Sequence, residues 1–182
     1  MSTDSDERHK TAYHESGHAA IAYFSGATVG EMSCVPCRVE GKGEVCGYTH
    51  IENQPSVNTR VVTHLAGPLA EAKHYAICHT RELRFDTSFV PDWSRPSMMF
   101  DKLKVPYDPQ TAQEFPEAFQ MLGESQDQDA QFASLLADAK KLINDPTIWN
   151  AISVLAEKLA AAGRLPAGEA VAILGQYFQP AQ

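Results

Sequence analysis

No run of lysine or arginine occurs in this 182-residue chain, and its 15 basic residues are outnumbered by 23 acidic ones, for a formal charge of -8. Phosphate binding needs clustered positive charge, so no nucleic-acid surface is expected. Long apolar runs are missing too. The longest, Ala19 to Phe24, falls far short of the roughly twenty residues that span a bilayer, and the polar stretch Met1 to Lys10 does not read as a signal peptide. Neither a membrane span nor a leader is expected. Only four cysteines are present, at positions 34, 37, 46 and 78. That is too few for a disulfide scaffold in a chain of this size, which makes a reducing cytoplasm the expected location. The phosphate-cradling G-x-x-x-x-G-K-[ST] loop is absent, so no nucleotide site is expected either.

What remains is the composition of an ordinary globular protein. At 43% hydrophobic and 21% charged, the chain has enough apolar surface for one core, and residues 1–182 are expected to form one domain. Its organisation follows from periodicity. Glu7 to Phe24 reads as a helix stopped by Gly26. Thr28 to Val35 and Glu44 to Thr49 read as strands flanking the turn Glu40-Gly41-Lys42-Gly43, a hairpin. Val57 to Cys78 repeats apolar residues every three or four positions, with a kink or restart expected near Leu69 because Gly67-Pro68 interrupts it. From 79 to 126 the chain carries five prolines and no sustained period, an irregular insertion expected to border a cleft. Asp129 to Ile143, Thr147 to Ala162 and Ala167 to Phe178 read as three closing helices. The expected class is α+β, mainly α: one chemistry-bearing helix, a small hairpin or sheet, and a C-terminal helical bundle.

The chemistry sits in the first helix. His14-Glu15-Ser16-Gly17-His18 is the H-E-x-x-H pattern. Residues four apart on a helix lie one turn above each other, so both imidazoles reach one ion while the intervening glutamate faces the metal-bound water. Zinc lowers the pKa of that water from roughly 15.7 to about 7, and Glu15 then serves as the base that takes its proton. Two surface histidines would be the bland alternative. Against it, the motif runs into Ala19-Ala20-Ile21-Ala22, which turns its histidine face toward the core. The expected cofactor is therefore Zn2+, and the expected activity is metallopeptidase. A catalytic zinc needs a third protein ligand. The extended pattern with a further histidine six residues on meets Phe24 and is excluded. A thermolysin-like site would take a glutamate from a following helix, which Glu71 supplies.

The run Thr11-Ala12-Tyr13-His14-Glu15-Ser16-Gly17-His18-Ala19 resembles the peptidase domain of the FtsH-type zinc proteases. Gly47-Tyr48-Thr49 resembles their glycine-tyrosine-threonine strand, Leu65-Ala66-Gly67-Pro68-Leu69-Ala70-Glu71 their L-A-G-x-x-A-E helix, and Leu155 to Leu159 with Gly163 to Val171 their closing segment. The resemblance covers most of the chain outside 79 to 126. It implies that fold, a polypeptide substrate, and a third ligand from an aspartate at a helix start followed by alanines four and eight residues on. Asp129 fits with Ala133 and Ala137. Asp127 is the alternative, four residues after Gly123, but its matching positions are Gln131 and Leu135. Glu71 then becomes a structural acid or one that holds a ligand histidine. Unlike those proteases, this sequence has no ATPase loop, so either a separate partner delivers substrate or the protein takes peptides and unfolded segments. A ring-like homo-oligomer is a further implication of the resemblance.

Two other readings stay open. Cys34, Cys37, Cys46 and His50 lie within seventeen residues across the predicted hairpin, which admits a second, structural zinc site, a redox pair, or ordinary buried thiols. And a non-catalytic adaptor that binds metal or polypeptide is the rival to the peptidase, although pure binding has no use for Glu15. His64, His74 and His79 are read as ordinary surface or hydrogen-bonded histidines.

Overall fold

The structure is a computed structural model and describes residues 4–39, 43–79, 115–123 and 127–178. Helix α1 (Asp4–Phe24) leads into strands β1 (Thr28–Ser33), β2 (Cys37–Val39), β3 (Gly43–Val45) and β4 (Tyr48–Glu52), then α2 (Val57–His79). The short α3 (Pro116–Gln120) precedes α4 (Gln128–Asn144), α5 (Pro146–Ala162), the two-residue β5 (Arg164–Leu165) and α6 (Ala167–Leu174). The chain is mainly helical with small antiparallel sheets, as the periodicity indicates.

The predicted hairpin is divided. Its inner part pairs β2 with β3, Cys37 opposite Val45 and Val39 opposite Gly43; residues 40–42 of the turn lie outside the described residues. Its outer part pairs β1 with β4, Thr28 opposite Glu52 and Ser33 opposite Tyr48, with an irregularity between Val29 and Met32. The expected second strand, Glu44 to Thr49, is thus broken at Cys46-Gly47. Pro36, lacking an amide hydrogen, lies where the first strand leaves the main sheet. β5 adds to the other edge of β1, Met32 opposite Leu165, giving the order β4-β1-β5. A two-residue strand carries no period, and Gly163 to Pro166 reads from sequence only as a separator.

Of the kink or restart expected near Leu69, the restart does not occur: α2 runs as one helix through Pro68. Proline removes one i→i−4 hydrogen bond. Leu65, Ala66, Leu69 and Ala70, all buried against the core, hold the helix together across that gap, each large side chain contributing about 1.5–3 kcal/mol. Of the expected irregular 79–126 segment, His79 instead ends α2 and 115–123 include α3; the cleft-bordering role of the remainder lies outside the described residues. α5 begins where the sequence indicates: Asp145 Oδ1 accepts hydrogen bonds from the Thr147 and Ile148 amides at 2.8 and 3.1 Å, with Pro146 next in line. It ends at Gly163, whose φ of 81° favours glycine. α6 stops at Leu174, short of the expected Phe178, which instead folds back to pack on Phe24 with ring centres 5.6 Å apart.

α1 lies at the centre, packed on α2, α5 and β1. Its approach to α2 is close because Gly17 meets the backbone of α2 there: a Cβ at Gly17 would lie 2.5 Å from the Ala66 carbonyl oxygen. That approach aligns the α1 face bearing His14 and His18 with the α2 face bearing Gly67 and Glu71. Among the described residues no helix is long and apolar enough to cross a membrane.

Candidate metal centre

α1 presents the imidazoles of His14 and His18 side by side, ring centres 4.8 Å apart at an interplanar angle of 78°. Two imidazoles bound tetrahedrally to one zinc through nitrogens at about 2.0–2.1 Å would have centres roughly 5 Å apart. Each ring is fixed from α2. His14 Nδ1 donates to Glu71 Oε2 at 2.8 Å, and His18 Nδ1 donates to the Thr63 carbonyl at 2.7 Å. Neither acceptor can donate, so both Nδ1 atoms carry the proton, and Nε2 is the nitrogen of each ring that could hold a metal. Glu71 is itself oriented by Lys10, whose Nζ lies 3.5 Å from Oε1.

The Nε2 edges converge above Gly67. A Cβ there would stand 2.3 Å from His18 Nε2 and 2.9 Å from His14 Cδ2, so the missing side chain is what admits both rings. The glycine of Leu65-Ala66-Gly67-Pro68 therefore has a steric role in this site, beyond helix geometry.

Glu15 is 7% exposed and is held from the sheet. The Thr49 hydroxyl lies 2.8 Å from Glu15 Oε2 and 3.1 Å from its carbonyl oxygen, and its one proton is shared between these two acceptors with the carboxylate the nearer. Gly47 lets β4 approach: a Cβ on it would lie 2.7 Å from the Ser33 carbonyl oxygen and 3.1 Å from Glu15 Oε1. Thus glycine and threonine of Gly47-Tyr48-Thr49 both serve the glutamate, one by making room and one by fixing its carboxylate. Tyr48 turns its hydroxyl to Glu31, and that hydrogen bond raises its pKa to about 12, keeping the phenol protonated.

Two cavities meet at the histidines. One of about 340 Å³ is lined by His14, His18, His64, Pro68 and Glu117; the other, about 420 Å³, runs past Glu15, His18, His64, Tyr48 and Thr49. His64 borders both. Its ring centre is 6.0 Å from that of His18 and its Nε2 3.2 Å from a Glu117 carboxylate oxygen. Sequence reasoning set His64 aside. The signal that marks it is positional: it precedes Gly67 by three residues and Glu71 by seven, and so shares their face of α2.

The structure brings His14, Glu15, His18 and Glu71 together. Asp129, in the first turn of α4, and Asp127, at its N-cap without a side-chain capping bond, are both exposed. Among the described residues no group of three or more His, Cys, Asp or Glu side chains stands at metal-holding spacing. The cysteine set does not converge either. Cys34 is buried with its thiol 3.3 Å from the Leu159 carbonyl oxygen, and burial raises its pKa; Cys46 is exposed, and His50 pairs with Glu52 at 2.8 Å. The physical reason is strand alternation and the break at Cys46-Gly47, which send these side chains in different directions. No known protein-family model matches the chain, and no curated protein matches it.

Proposed function

We propose that this protein is a zinc-dependent metallopeptidase in which His14 and His18 ligate zinc and Glu15 is the general base, with an FtsH peptidase-like fold. The observation that carries the reading is the pair of imidazoles held through Nδ1 by Glu71 and by the Thr63 carbonyl, converging above Gly67 beside a buried, oriented glutamate. Hydrogen-bonded acceptors behind ligand histidines fix the tautomer and raise basicity, the usual companions of a protein-bound zinc. His14 and His18 would hold the zinc ion, which would supply Lewis-acid activation of water and of a peptide carbonyl. Glu15 takes the proton of the attacking water and returns it to the leaving amine, and Thr49 keeps the carboxylate aimed. The third ligand in this proposal is Asp129, with Asp127 as the alternative.

The resemblance of Gly47-Tyr48-Thr49 and of Leu65 to Glu71 to the FtsH-type peptidases supports the same reading, because Gly47 and Thr49 serve Glu15 while Gly67 and Glu71 serve the histidines. Polypeptide is the proposed substrate, taken as peptides or unfolded segments or delivered by a partner. The rival adaptor reading has no need for a carboxylate buried and clamped at the metal face.

The deciding measurement is zinc content of the purified wild type, His14→Ala, Asp129→Asn and Asp127→Asn proteins, together with casein and peptide cleavage by wild type and Glu15→Gln. Stoichiometric zinc lost in His14→Ala, and cleavage lost in Glu15→Gln while zinc is retained, are the expected results. A wild type without zinc, or cleavage indifferent to Glu15, refutes the assignment.

A further inference from the structure

The cavity that passes Glu15 and His18 has a charge balance unlike the rest of the molecule. The chain carries 23 acids against 15 bases, yet the side chains lining this cavity include Arg60, His18, His50 and His64, and among the described residues Glu15 is the one carboxylate that lines it. The acids at its rim are engaged. Glu52 pairs with His50 at 2.8 Å, Glu117 with His64 at 3.2 Å, and Glu31 accepts the Tyr48 hydroxyl. None of them is on Arg60, whose exposed guanidinium makes no ion pair among the described residues.

Arg60 lies on α2 one turn before Thr63, the residue whose carbonyl holds His18 at 2.7 Å. Three helical residues advance the axis by about 4.5 Å, a rise comparable to the length of one or two extended substrate residues, and Arg60 lines the same cavity as His18 and His64. Gln54, between β4 and α2, lines the same cavity and contributes amide donors. A fork of guanidinium N–H groups in a cleft matches a carboxylate in shape and charge.

We propose that Arg60 is a specificity-determining residue, selecting polypeptides that carry a carboxylate within one or two residues of the bond cleaved, whether an acidic side chain or a free chain end. The proposal rests on the peptidase reading for the words "bond cleaved", but its binding claim stands on the cavity alone.

The test is equilibrium binding by fluorescence anisotropy, on metal-free and zinc-loaded full-length protein. One peptide pair differs only by an internal glutamate or glutamine with both ends blocked, and a second pair only by a free or amidated carboxyl terminus. Wild type is expected to favour the carboxylate member of at least one pair about tenfold, equivalent to about 1.4 kcal/mol, and the pair affected identifies the source. The preference should shrink as salt rises from about 0.05 M to about 0.5 M. Arg60→Gln should erase it, Arg60→Lys should keep part of it, and Arg60→Glu should turn it toward a lysine peptide. Equal binding of both members, no binding of either, or a preference surviving in Arg60→Gln overturns the proposal. Discrimination without any zinc-dependent cleavage refutes the peptidase reading and leaves the carboxylate site standing; zinc-dependent cleavage without discrimination does the reverse.

Discussion

Replacing Gly67 by alanine separates the fold from the site. The new Cβ would lie 2.3 Å from His18 Nε2, 2.4 Å from its Cε1 and 2.9 Å from His14 Cδ2. Heavy atoms in contact normally sit near 3.5–4.0 Å, so the His18 ring must retreat by roughly 1 Å. All three atoms belong to side-chain rings that can rotate away, so the helix itself need not move, and α2 gains the advantage of alanine over glycine in a helix interior, about 0.5–1 kcal/mol. What cannot survive a shift of that size is the 2.7 Å bond from His18 Nδ1 to the Thr63 carbonyl, nor the alignment of the two rings at 4.8 Å. Loss of such an outer contact typically weakens metal binding by about 10–100-fold. The expected result for Gly67→Ala is therefore metal-free stability equal to or slightly above wild type in urea denaturation, alongside zinc affinity about 10–100-fold weaker in competition with a chromogenic chelator. Unchanged zinc affinity would refute the claim that this glycine makes room for a two-histidine site. A collapse of metal-free stability would refute the claim that only the rings yield.

Two further outcomes follow from neighbouring contacts. Gly17→Ala places its methyl 2.5 Å from the Ala66 carbonyl oxygen, a backbone atom that cannot rotate aside; urea denaturation should show a loss of about 1–3 kcal/mol, the ordinary cost of overpacking, with or without zinc. Tyr13 has its pKa raised from 10.0 to about 12 by burial. Its contribution to stability is thus fully present below pH 10.0 and lost as the pH rises through about 12, so Tyr13→Phe should flatten the alkaline fall in stability across that window; an unchanged slope would count against it.

How much of this was legible beforehand differs by kind of feature. Helix ends with local chemistry were readable: Asp145-Pro146 opens α5 through its own side-chain bonds, and Gly163 closes it through its own φ. The short β5 and the division of the hairpin into two sheets were not, because Leu165 opposite Met32 is a long-range pairing with no sequence period behind it. Pro68 left a choice that only packing decides. Its local rule allows a kink or a restart, and the buried leucines on either side of it belong to one packed surface that keeps the helix continuous despite the loss of a single hydrogen bond. His64 and Arg60 were passed over because isolated polar residues on a helix acquire meaning only from what faces them.

The sequence by itself determined that His14 and His18 share one face of α1 with Glu15 between them, since the 3.6-residue period of a helix decides that wherever the helix is placed. Only the tertiary structure decided what stands behind them. Glu71 on His14, the Thr63 carbonyl on His18, Thr49 on Glu15 and the empty side-chain space of Gly67 are contacts between segments far apart along the chain. They exist because Gly17 lets α1 and α2 pack closely and Gly47 lets β4 reach Glu15. Helical periodicity sets which residues face the same way, and packing sets what they face.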